Sequence, residues 1–471
     1  MSEVIICGGG ICGLGTALLL ARDGHEVTLL ERDQDPLPES AEQAWGTWER
    51  KGVVQFRQPH NFMPGLREIL EADLPDIQEA LPQAGAYRWN FLASVLPVLM
   101  DKSPRPIDDK LSCWTARRPA GEWVVARAAE NHPRIDLRRG VQVTGLLTGS
   151  PVRPGIPHIT GVRTADGSEI SADIVIDAMG RRSKGPEWLT DVGARAPEEM
   201  AEDCGFSYYT RYFSGIPPTL IGPPLASIGS ISLLRLPGDH DTWSVTIFTV
   251  TGDRALKRLR DAATWTKVVQ ACPLHAPWLE GQPITEILPM SGIMDRYRRF
   301  VVDGRPVATG FFAVADAWAC TNPSAGRGLA VGFKHAVRLR DVLHTGDANP
   351  YALAEEFHEI TETEAAPWFW SQIADDRARI AEIMAVREGR QPAPPADEPA
   401  RLMRDLRRFA PADPDIARAM LEYIGTLTPI QEIADRLDLR DKLAAVKQSV
   451  NDAPPPAIPG PDRAQLLELV S

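Results

Sequence analysis

The sequence predicts an α/β fold in which a helix-flanked parallel sheet is interleaved with a second, β-stranded region and followed by a helical region. Three observations predict it. The residues up to Glu31 read as strand, glycine-rich turn, helix and strand. Two later segments, Asp173–Arg182 and Val307–Val314, contain apolar runs that read as further buried strands of a parallel sheet. Beyond Leu343 the spacing of apolar residues is helix-like.

The first unit contains a complete strand–turn–helix–strand pattern. Val4–Cys7 is a short apolar run of the kind found in buried parallel strands, and Gly8–Gly13 follows at once with the spacing GxGxxG. Apolar residues then recur at helical spacing until Gly24, where a helix C-cap is expected. Val27–Leu30 reads as the second strand, and Glu31 ends it.

This unit has the chemistry of a dinucleotide site. Gly8 allows the tight turn, Gly10 lets a diphosphate approach the backbone, and Gly13 lets the helix pack closely on the sheet. The helix N-terminus presents unpaired N–H groups to the phosphates. Glu31 can accept the hydroxyls of an adenosine ribose and repels a 2′-phosphate. FAD or NAD is therefore favoured over NADP, and this unit alone does not separate the two.

The segment around Asp316 favours FAD. The strand predicted at Val307–Val314 is followed by Asp316, an acid placed to hold ribityl hydroxyls. Gly326 and Gly328 then open a helix, so that backbone N–H groups can face the negative charge of a reduced flavin. Upstream, Ile159–Ile170 alternates like a hairpin that leads the chain back to the nucleotide-binding sheet. Together these features predict a Rossmann-like FAD-binding domain of the glutathione-reductase type.

The composition excludes several classes of protein. The chain has 471 residues, with 51 Lys and Arg against 63 Asp and Glu and a net charge of −12, which argues against nucleic acid as a general partner. No run approaches the ~20 apolar residues of a membrane span, and the N-terminal residues do not read as a secretory signal. The six cysteines form no CxxC pair, so no metal site or disulfide framework is predicted and a cytoplasmic location is expected.

The motifs divide the chain into four parts. Residues 1–202 and 295–345 are predicted to form the discontinuous FAD-binding domain, and residues 203–294 a substrate-binding β-sheet domain. Residues 346–450 are predicted to be a helical region that caps the substrate pocket or forms a dimer surface, so both a monomer and a homodimer remain open. Residues 451–471 are predicted to be a mobile tail, because proline is frequent there.

The chain resembles a family of flavoproteins. Gly8–Glu31, Asp173–Gly180 and Gly310–Gly332 occur in the order found in FAD-dependent monooxygenases of the aromatic hydroxylase and epoxidase superfamily, and the resemblance extends to about residue 345. Within it the chain more closely resembles bacterial epoxidases related to squalene epoxidase and the polyether epoxidases. The finer matches are Lys51–Val53 with Gln55–His60, Thr115–Glu122 around Arg118, and Tyr208–Tyr212 with Trp243–Asp253.

The resemblance implies a function and a set of cofactor-binding residues. The implied activity is that of an oxidoreductase of secondary metabolism, a hydroxylase or epoxidase that inserts one oxygen atom from O₂ into an apolar, aromatic or polyketide-like small molecule through a flavin C4a-hydroperoxide. The cofactor carries this chemistry while the protein orients and dries the pocket. The implied FAD-binding residues are Gly8, Gly10, Gly13, Glu31, Arg32, Arg118, Asp316, Pro323, Gly326 and Gly328.

One position departs from the single-component aromatic hydroxylases. Their middle motif carries Asp immediately before its glycine, where this chain has Met179 before Gly180. That Asp contributes to a motif associated with both FAD and NAD(P)H binding. The difference leaves open whether NAD(P)H reduces the flavin on this chain or through a separate flavin reductase.

Catalytic and substrate residues are predicted from their segments. Arg57, Gln58 and His60 lie on the segment that the resemblance places beside the flavin, although His60 also fits an ordinary loop histidine. The substrate candidates are Tyr209, Arg211 and Trp243, which belong to an aromatic-rich region with strand character at Ile228–Leu234 and Thr242–Val250. An ordinary hydrophobic core and a structural ion pair of Arg211 are the alternatives there.

Three other functions remain as alternatives. A reductase or dehydrogenase of the geranylgeranyl-reductase type uses the same architecture. A flavin-dependent halogenase usually carries Trp-x-Trp-x-Ile-Pro, whereas Trp45 and Trp48 have the wrong spacing for that motif. Prenyl-binding escort proteins use the fold without flavin chemistry, and Asp316 with the glycines after it argues against this.

Overall fold

The structure is a computed structural model that describes residues 1–95, 99, 101–344, 349–449 and 458–471. Its strands are β1 (Glu3–Cys7), β2 (Glu26–Glu31), β3 (Pro59–Phe62), β4 (Tyr87–Asn90), β5 (Ser112–Arg117), β6 (Ile135–Arg139), β7 (Val143–Arg153), β8 (Ile156–Thr164), β9 (Glu169–Ser171), β10 (Ile174–Asp177), β11 (Glu198–Asp203), β12 (Phe206–Ser214), β13 (Leu225–Ile228), β14 (Ile231–Pro237), β15 (Thr242–Val250), β16 (Gln282–Pro283), β17 (Leu288–Met290), β18 (Met294–Arg299), β19 (Val301–Val302), β20 (Arg305–Pro306), β21 (Phe311–Ala313) and β22 (Ala319–Cys320). Its helices are α1 (Ile11–Arg22), α2 (Ala41–Thr47), α3 (Pro64–Asp73), α4 (Pro75–Gln83), α5 (Phe91–Val95), α6 (Arg118–Glu130), α7 (Gly185–Asp191), α8 (Ala262–Gln270), α9 (Gly328–His344), α10 (Pro350–Ile360), α11 (Ala366–Arg387), α12 (Glu398–Phe409), α13 (Pro414–Ile424), α14 (Ile430–Asp435), α15 (Leu437–Ser449) and α16 (Arg463–Leu469).

A five-stranded parallel sheet in the order β21-β10-β1-β2-β6 forms the centre of the first domain. Its register places Cys7 beside Asp177, and Asp177 beside Ala313. The carboxyl ends of β1, β10 and β21 therefore meet at one edge, where ligands bind in open α/β sheets. Helices α1 and α9 pack on each other beside this sheet. The predicted α/β, Rossmann-like fold with an interleaved sheet and C-terminal helices is confirmed.

The interleaved sheet is antiparallel and has the order β13-β14-β15-β12-β16, with β17 also paired to β12. The chain enters and leaves it through β11 and β18, which pair antiparallel so that Asp203 lies opposite Met294. One face of the sheet packs on α8 and its neighbours, because Trp265 and Val268 are fully buried with Ile247 in one apolar cluster. The domain boundaries inferred from the motifs stay a prediction.

Two strands differ from the sequence-based expectation, and one hairpin is confirmed. Ile228–Leu234 is a hairpin rather than one strand, since the chain turns at Gly229 with φ +51°. The strand expected at Val307–Val314 begins only at Phe311. Gly310 interrupts it with φ +73°, and a Cβ there would lie 2.4 Å from the Ile159 carbonyl oxygen. The predicted hairpin around Gly167 is formed by β8 and β9.

The C-terminal region is helical, as expected, and extends further than predicted. Helices α12 to α15 pack on one another, and α12 packs on α11. Within the predicted tail, residues 451–457 lie outside the described residues. Residues 463–469 form α16, which is stabilised by a capping box between Asp462 and Gln465 and packs its buried Leu466 on α8. Among the described residues, no helix combines the length and apolar character needed to cross a bilayer.

Candidate functional site

One cavity of about 410 Å³ lies at the carboxyl ends of β1, β10 and β21. It runs from the turn after β1, past the end of β10, to the start of α9 and the first turns of α11. The residues predicted from the sequence that line it are Gly8, Gly10, Gly13, Glu31, Arg32, Gln58, His60, Arg118, Asp316, Pro323, Gly326 and Gly328. The fold thus brings together residues that lie up to 320 positions apart in the sequence.

Glycine suits each of the three motif positions for a different reason. Gly8 has φ +108°, and a Cβ there would lie 2.6 Å from the Ala178 carbonyl oxygen. A Cβ on Gly13 would lie 2.0 Å from the Gly8 carbonyl oxygen, so the close approach of α1 to the turn requires glycine. Gly10 is the N-cap of α1, and a Cβ there would meet nothing within 4 Å. The space in front of Gly10 and the helix N-terminus therefore fits a diphosphate.

Glu31 is part of a buried charge network that sequence analysis missed. Arg50 donates from Nη2 to Glu31 (2.7 Å), from Nη1 to Glu122 (2.8 Å) and from Nε to Asp33 (3.1 Å). Glu122 accepts a further bond from Arg118 Nε at 2.7 Å. No local motif links Arg50 to Glu122, because they lie 72 residues apart. The network fixes the Glu31 carboxylate at the cavity wall, where a ribose can reach it.

Asp316 stands on a strained turn beside two cations. The preceding residue, Ala315, has φ +52°, a conformation that residues with a Cβ rarely adopt. Burial raises the pKa of Asp316, and the Arg118 and Arg181 guanidinium groups oppose this shift. Arg118 lines the same cavity as Asp316, so a diphosphate and polyol bound along it would contact both side chains.

The start of α9 forms the end of the cavity that lies farthest from the turn after β1. Asn322 caps a short turn through its side chain, which accepts from the Ser324 N–H at 3.2 Å. Gly326 follows with φ +69°, and Gly328 begins the helix with open space where a Cβ would stand. Because the first N–H groups of a helix lack intrahelical partners, this end offers donors and a partial positive charge to an anion. The residues that line the cavity therefore suit the diphosphate, ribose and ribityl groups of FAD.

The three catalytic candidates occupy different positions. Arg57 is not part of the cavity lining; its Nη1 and Nη2 donate to the carbonyl groups of Trp45 and Trp48. Gln58 lines the cavity, but its Oε1 accepts from Thr210 at 2.7 Å and ties the segment to β12. Burial, assisted by a nearby guanidinium, lowers the pKa of His60 to about 3. His60 is therefore neutral at physiological pH and cannot donate a proton as imidazolium.

The substrate candidates lie away from the cavity. Side chains alternate along a strand, and Tyr209 and Phe213 of β12 share the apolar cluster formed with α8. Trp243 is buried in the same cluster and donates from Nε1 to the Trp278 carbonyl at 2.8 Å. Arg211 donates from Nε to the Thr285 carbonyl at 3.1 Å. The predicted roles of these residues in substrate binding are not supported by this placement.

The opposite face of β12 is the one that approaches the cofactor-binding domain. Tyr208 donates to Asn322 Oδ1, and Thr210 donates to Gln58. Two residues of α11, Trp368 and Phe369, complete the cavity wall from the C-terminal helices. Nothing in the local sequence pattern of these two aromatic residues shows that they face this site.

The buried carboxyl group of Asp376 accepts a hydrogen bond from the Asn322 side chain and fixes its orientation. Asp376 Oδ1 accepts from Asn322 Nδ2 at 2.9 Å, while its Oδ2 is buried without a hydrogen-bond partner. Asp295 accepts from the Asn322 backbone N–H at 2.6 Å. Burial, with a contribution from the Asp295 charge, raises the pKa of Asp376 to about 8. Asp376 is thus a neutral acid at pH 7.

The raised pKa of Asp376 predicts a pH-dependent effect of Asp376→Asn. Between about pH 4 and pH 8 the unfolded chain ionises this carboxyl and the folded chain does not, so the unfolded state binds fewer protons. The free energy of unfolding of the wild type therefore falls with rising pH by about 1.4 kcal/mol per unit from this group. Asn does not titrate, so the variant is expected to gain about 2–3 kcal/mol over the wild type between pH 5 and pH 7.

Urea unfolding at both pH values checks this expectation. The matched control is Asp435→Asn, which makes the same chemical change on a side chain that is 82% exposed. The control is expected to show a difference below about 0.5 kcal/mol. A stability difference between Asp376→Asn and the wild type that does not change with pH would contradict the assignment of a neutral Asp376.

Comparisons with known proteins agree with this architecture. Residues 3–145 match the family model described as FAD dependent oxidoreductase. A curated relative, "Protein Rv3254" of Mycobacterium tuberculosis, is 27% identical over 407 residues, covering 79% of this chain and 80% of that protein. The family match and the geometry of the cavity support an FAD-dependent oxidoreductase.

Solved structures show the same fold at low identity. The anhydrotetracycline hydroxylase OxyS of Streptomyces rimosus is similar with a TM-score of 0.59 and 18% identity, covering 90% of this chain and 76% of that chain. The flavin-dependent brominase Bmp2 is similar with a TM-score of 0.60 and 14% identity, covering 94% of this chain and 99% of that chain. At these identities the likeness establishes the fold.

Proposed function

We propose that the protein is an FAD-dependent monooxygenase that inserts one oxygen atom from O₂ into a small, largely apolar molecule by hydroxylation or epoxidation. The observation that carries the proposal is the continuity of the cavity. A single space joins the dinucleotide turn at Gly8–Gly13, the acid Asp316 and the helix start at Gly326–Gly328 to an aromatic wall at Trp368 and Phe369. Cofactor and substrate would therefore share one cavity.

The residues along the cavity have distinct proposed roles. Gly10 and the N-terminus of α1 would hold the diphosphate, with Glu31 on the adenosine ribose and Asp316 on the ribityl chain. Backbone N–H groups at the start of α9 would face the ring system beside Pro323. When bound, FAD supplies the redox chemistry and the activation of O₂. Exclusion of water by the bound cofactor and the cavity walls would protect reactive oxygen chemistry from side reactions.

The chain's own side chains would position the cofactor and the substrate rather than take part in the reaction. His60 is neutral near the ring end and Gln58 is bound to Thr210, so neither is arranged to transfer a proton at pH 7. Gln58 instead connects the cofactor-facing segment to the interleaved sheet. This arrangement suits a reaction whose chemistry comes from the cofactor.

An isotope experiment tests the proposal. The holoprotein is reduced, either with NAD(P)H or with a separate flavin reductase, and exposed to ¹⁸O₂ in the presence of a panel of apolar aromatic and polyene compounds. We expect a product that carries one ¹⁸O atom and oxygen uptake that rises with its formation. A halogenated product that requires halide ion, or a product that gains two hydrogens without O₂, would instead assign the halogenase or reductase alternative.

A further inference from the structure

Arg327 is a buried cation in the wall of the cavity. It lies between Gly326 and Gly328, and only 5% of its surface is exposed. Its guanidinium carbon lies 3.9 Å from the ring centre of Tyr423 and 5.8 Å from that of Trp368. The residue therefore connects the helix start of the cofactor-binding domain to the C-terminal helices.

The charge of Arg327 is not neutralised within the described part of the chain. Nη1 donates to the Tyr423 hydroxyl at 2.9 Å and approaches Gln372 Oε1 at 3.5 Å, and both acceptors are neutral. Nε is buried without any hydrogen-bond partner. The contrast is Arg50, whose buried guanidinium contacts three carboxylates. Since a buried charge without a counter-charge is costly, an anion is the expected partner of Arg327.

The nearby carboxyl groups are already occupied by other donors. Asp375 Oδ2 accepts from the Tyr423 hydroxyl at 3.0 Å, and Asp376 Oδ1 accepts from Asn322. Neither forms an ion pair with Arg327 in the residues that the structure covers. The hydroxyl of Tyr423, which donates to Asp375 and accepts from Arg327, instead fixes the orientation of the guanidinium.

Aromatic side chains surround the guanidinium group of Arg327. Trp368 and Phe369 line the cavity beside it, and Trp368 stacks on Tyr423 with 6.0 Å between ring centres and 12° between ring planes. Lys334 of α9 places its ammonium 5.2 Å from the Trp368 ring centre, on a side chain that does not line the cavity. Aromatic walls around a fixed guanidinium suit a flat molecule that carries an ionised acid.

We propose that Arg327 binds the ionised acidic group of a planar organic substrate, with Trp368 against the body of that substrate and Gln372 as an additional polar contact. The proposal rests on the proposed function only in placing the substrate in the same cavity as the cofactor. A carboxylate is the group of choice, because it matches the planar fork of a guanidinium and forms charge-assisted hydrogen bonds with it. The substrate would then be an aromatic or polyenoic acid rather than a neutral hydrocarbon.

The test compares acids with their neutral amides. The probes are benzoate, naphthoate and anthracene carboxylate, each paired with its amide, and binding to the holoprotein is followed by titration calorimetry and by the visible spectrum of the flavin. We expect at least one acid to bind about tenfold or more tightly than its amide. Arg327→Gln is expected to remove that preference, whereas Arg327→Lys keeps the charge, loses the fork and is expected to reduce the preference at least about threefold.

The matched control is Arg338→Gln, in the helix α9 that begins directly after Arg327. Arg338 is 45% exposed, pairs with Asp341 and Glu364, and does not line the cavity. This variant is expected to retain the acid preference of the wild type. If Arg327→Gln does not fold, Arg327→Lys carries the test, because it preserves a cation at the buried position.

Two results would overturn the proposal. One is that no acid binds more tightly than its amide in the wild type. The other is that Arg327→Gln keeps the acid preference while it shifts the reduction potential of the bound flavin, which would assign Arg327 to the cofactor. Both results are independent of oxygen insertion, because binding is measured without turnover. A failed ¹⁸O experiment would therefore leave this measurement intact, and the reverse also holds.

Discussion

Replacing Arg50 with alanine is expected to lower the free energy of unfolding by about 3–5 kcal/mol, the cost of leaving buried carboxylates without their counter-charge. Arg50 neutralises Glu31 and Glu122, whose side chains are 6% and 0% exposed. It also donates to the Gly9 carbonyl at 3.0 Å, so its loss frees the turn after β1. We expect weaker FAD binding as well, because Glu31 then loses the contact that holds it at the ribose end of the cavity.

Chemical denaturation of the variant measures this effect, and Arg138→Ala supplies the control. Arg138 pairs with Asp136 at the surface, where the two side chains are 43% and 58% exposed. Exposed pairs contribute little, so the control is expected to change stability by less than about 1 kcal/mol. A loss below about 1 kcal/mol for Arg50→Ala would show that the network does not carry the stability assigned to it.

Replacing Gly10 with leucine is expected to weaken FAD binding about 100-fold or more without unfolding the protein, which corresponds to ~2.7 kcal/mol or more of binding free energy. Gly10 has an ordinary φ of −73°, and a Cβ there meets nothing within 4 Å in the folded chain. The added side chain would fill the space that a diphosphate needs at the N-terminus of α1. The expected effect is therefore on the cofactor and not on the fold.

Titration of the apoprotein with FAD measures this loss, with Gly46→Leu as the matched control. Gly46 lies in α2 away from the cavity, and a Cβ there also meets nothing within 4 Å. The control is expected to bind FAD like the wild type. An FAD affinity of Gly10→Leu within about threefold of the wild type would contradict the placement of the diphosphate at the turn after β1.

The nucleotide-binding end of the site was predictable because its signals are local. Gly8, Gly10, Gly13 and Glu31 lie within one strand–turn–helix–strand unit, so sequence spacing alone places them around one ligand. The Asp316 segment is similar, since a strand end and a glycine-flanked helix start adjoin in the sequence. All of these residues line the cavity in the structure.

The other end of the site depends on contacts that sequence spacing does not encode. Side chains alternate between the two faces of β12, and the sequence does not show which face points toward the cavity. Packing on α8 places Tyr209 in the core, whereas Tyr208 on the opposite face contacts Asn322. Trp368 comes to the cavity from a helix that the resemblance did not cover.

Arg57 was assigned by its segment, but its carbonyl contacts with Trp45 and Trp48 orient it away from the cavity.

The most direct test of the account is a crystal structure of the protein with FAD bound. We expect the FAD diphosphate at the N-H groups after Gly10, the adenosine ribose at Glu31 and the flavin ring beside Gly326–Gly328, with Trp368 in the wall of the remaining space. Flavin density at any other place in the molecule, or a ring that lies away from the start of α9, would contradict the assignment of this cavity as a shared cofactor and substrate site.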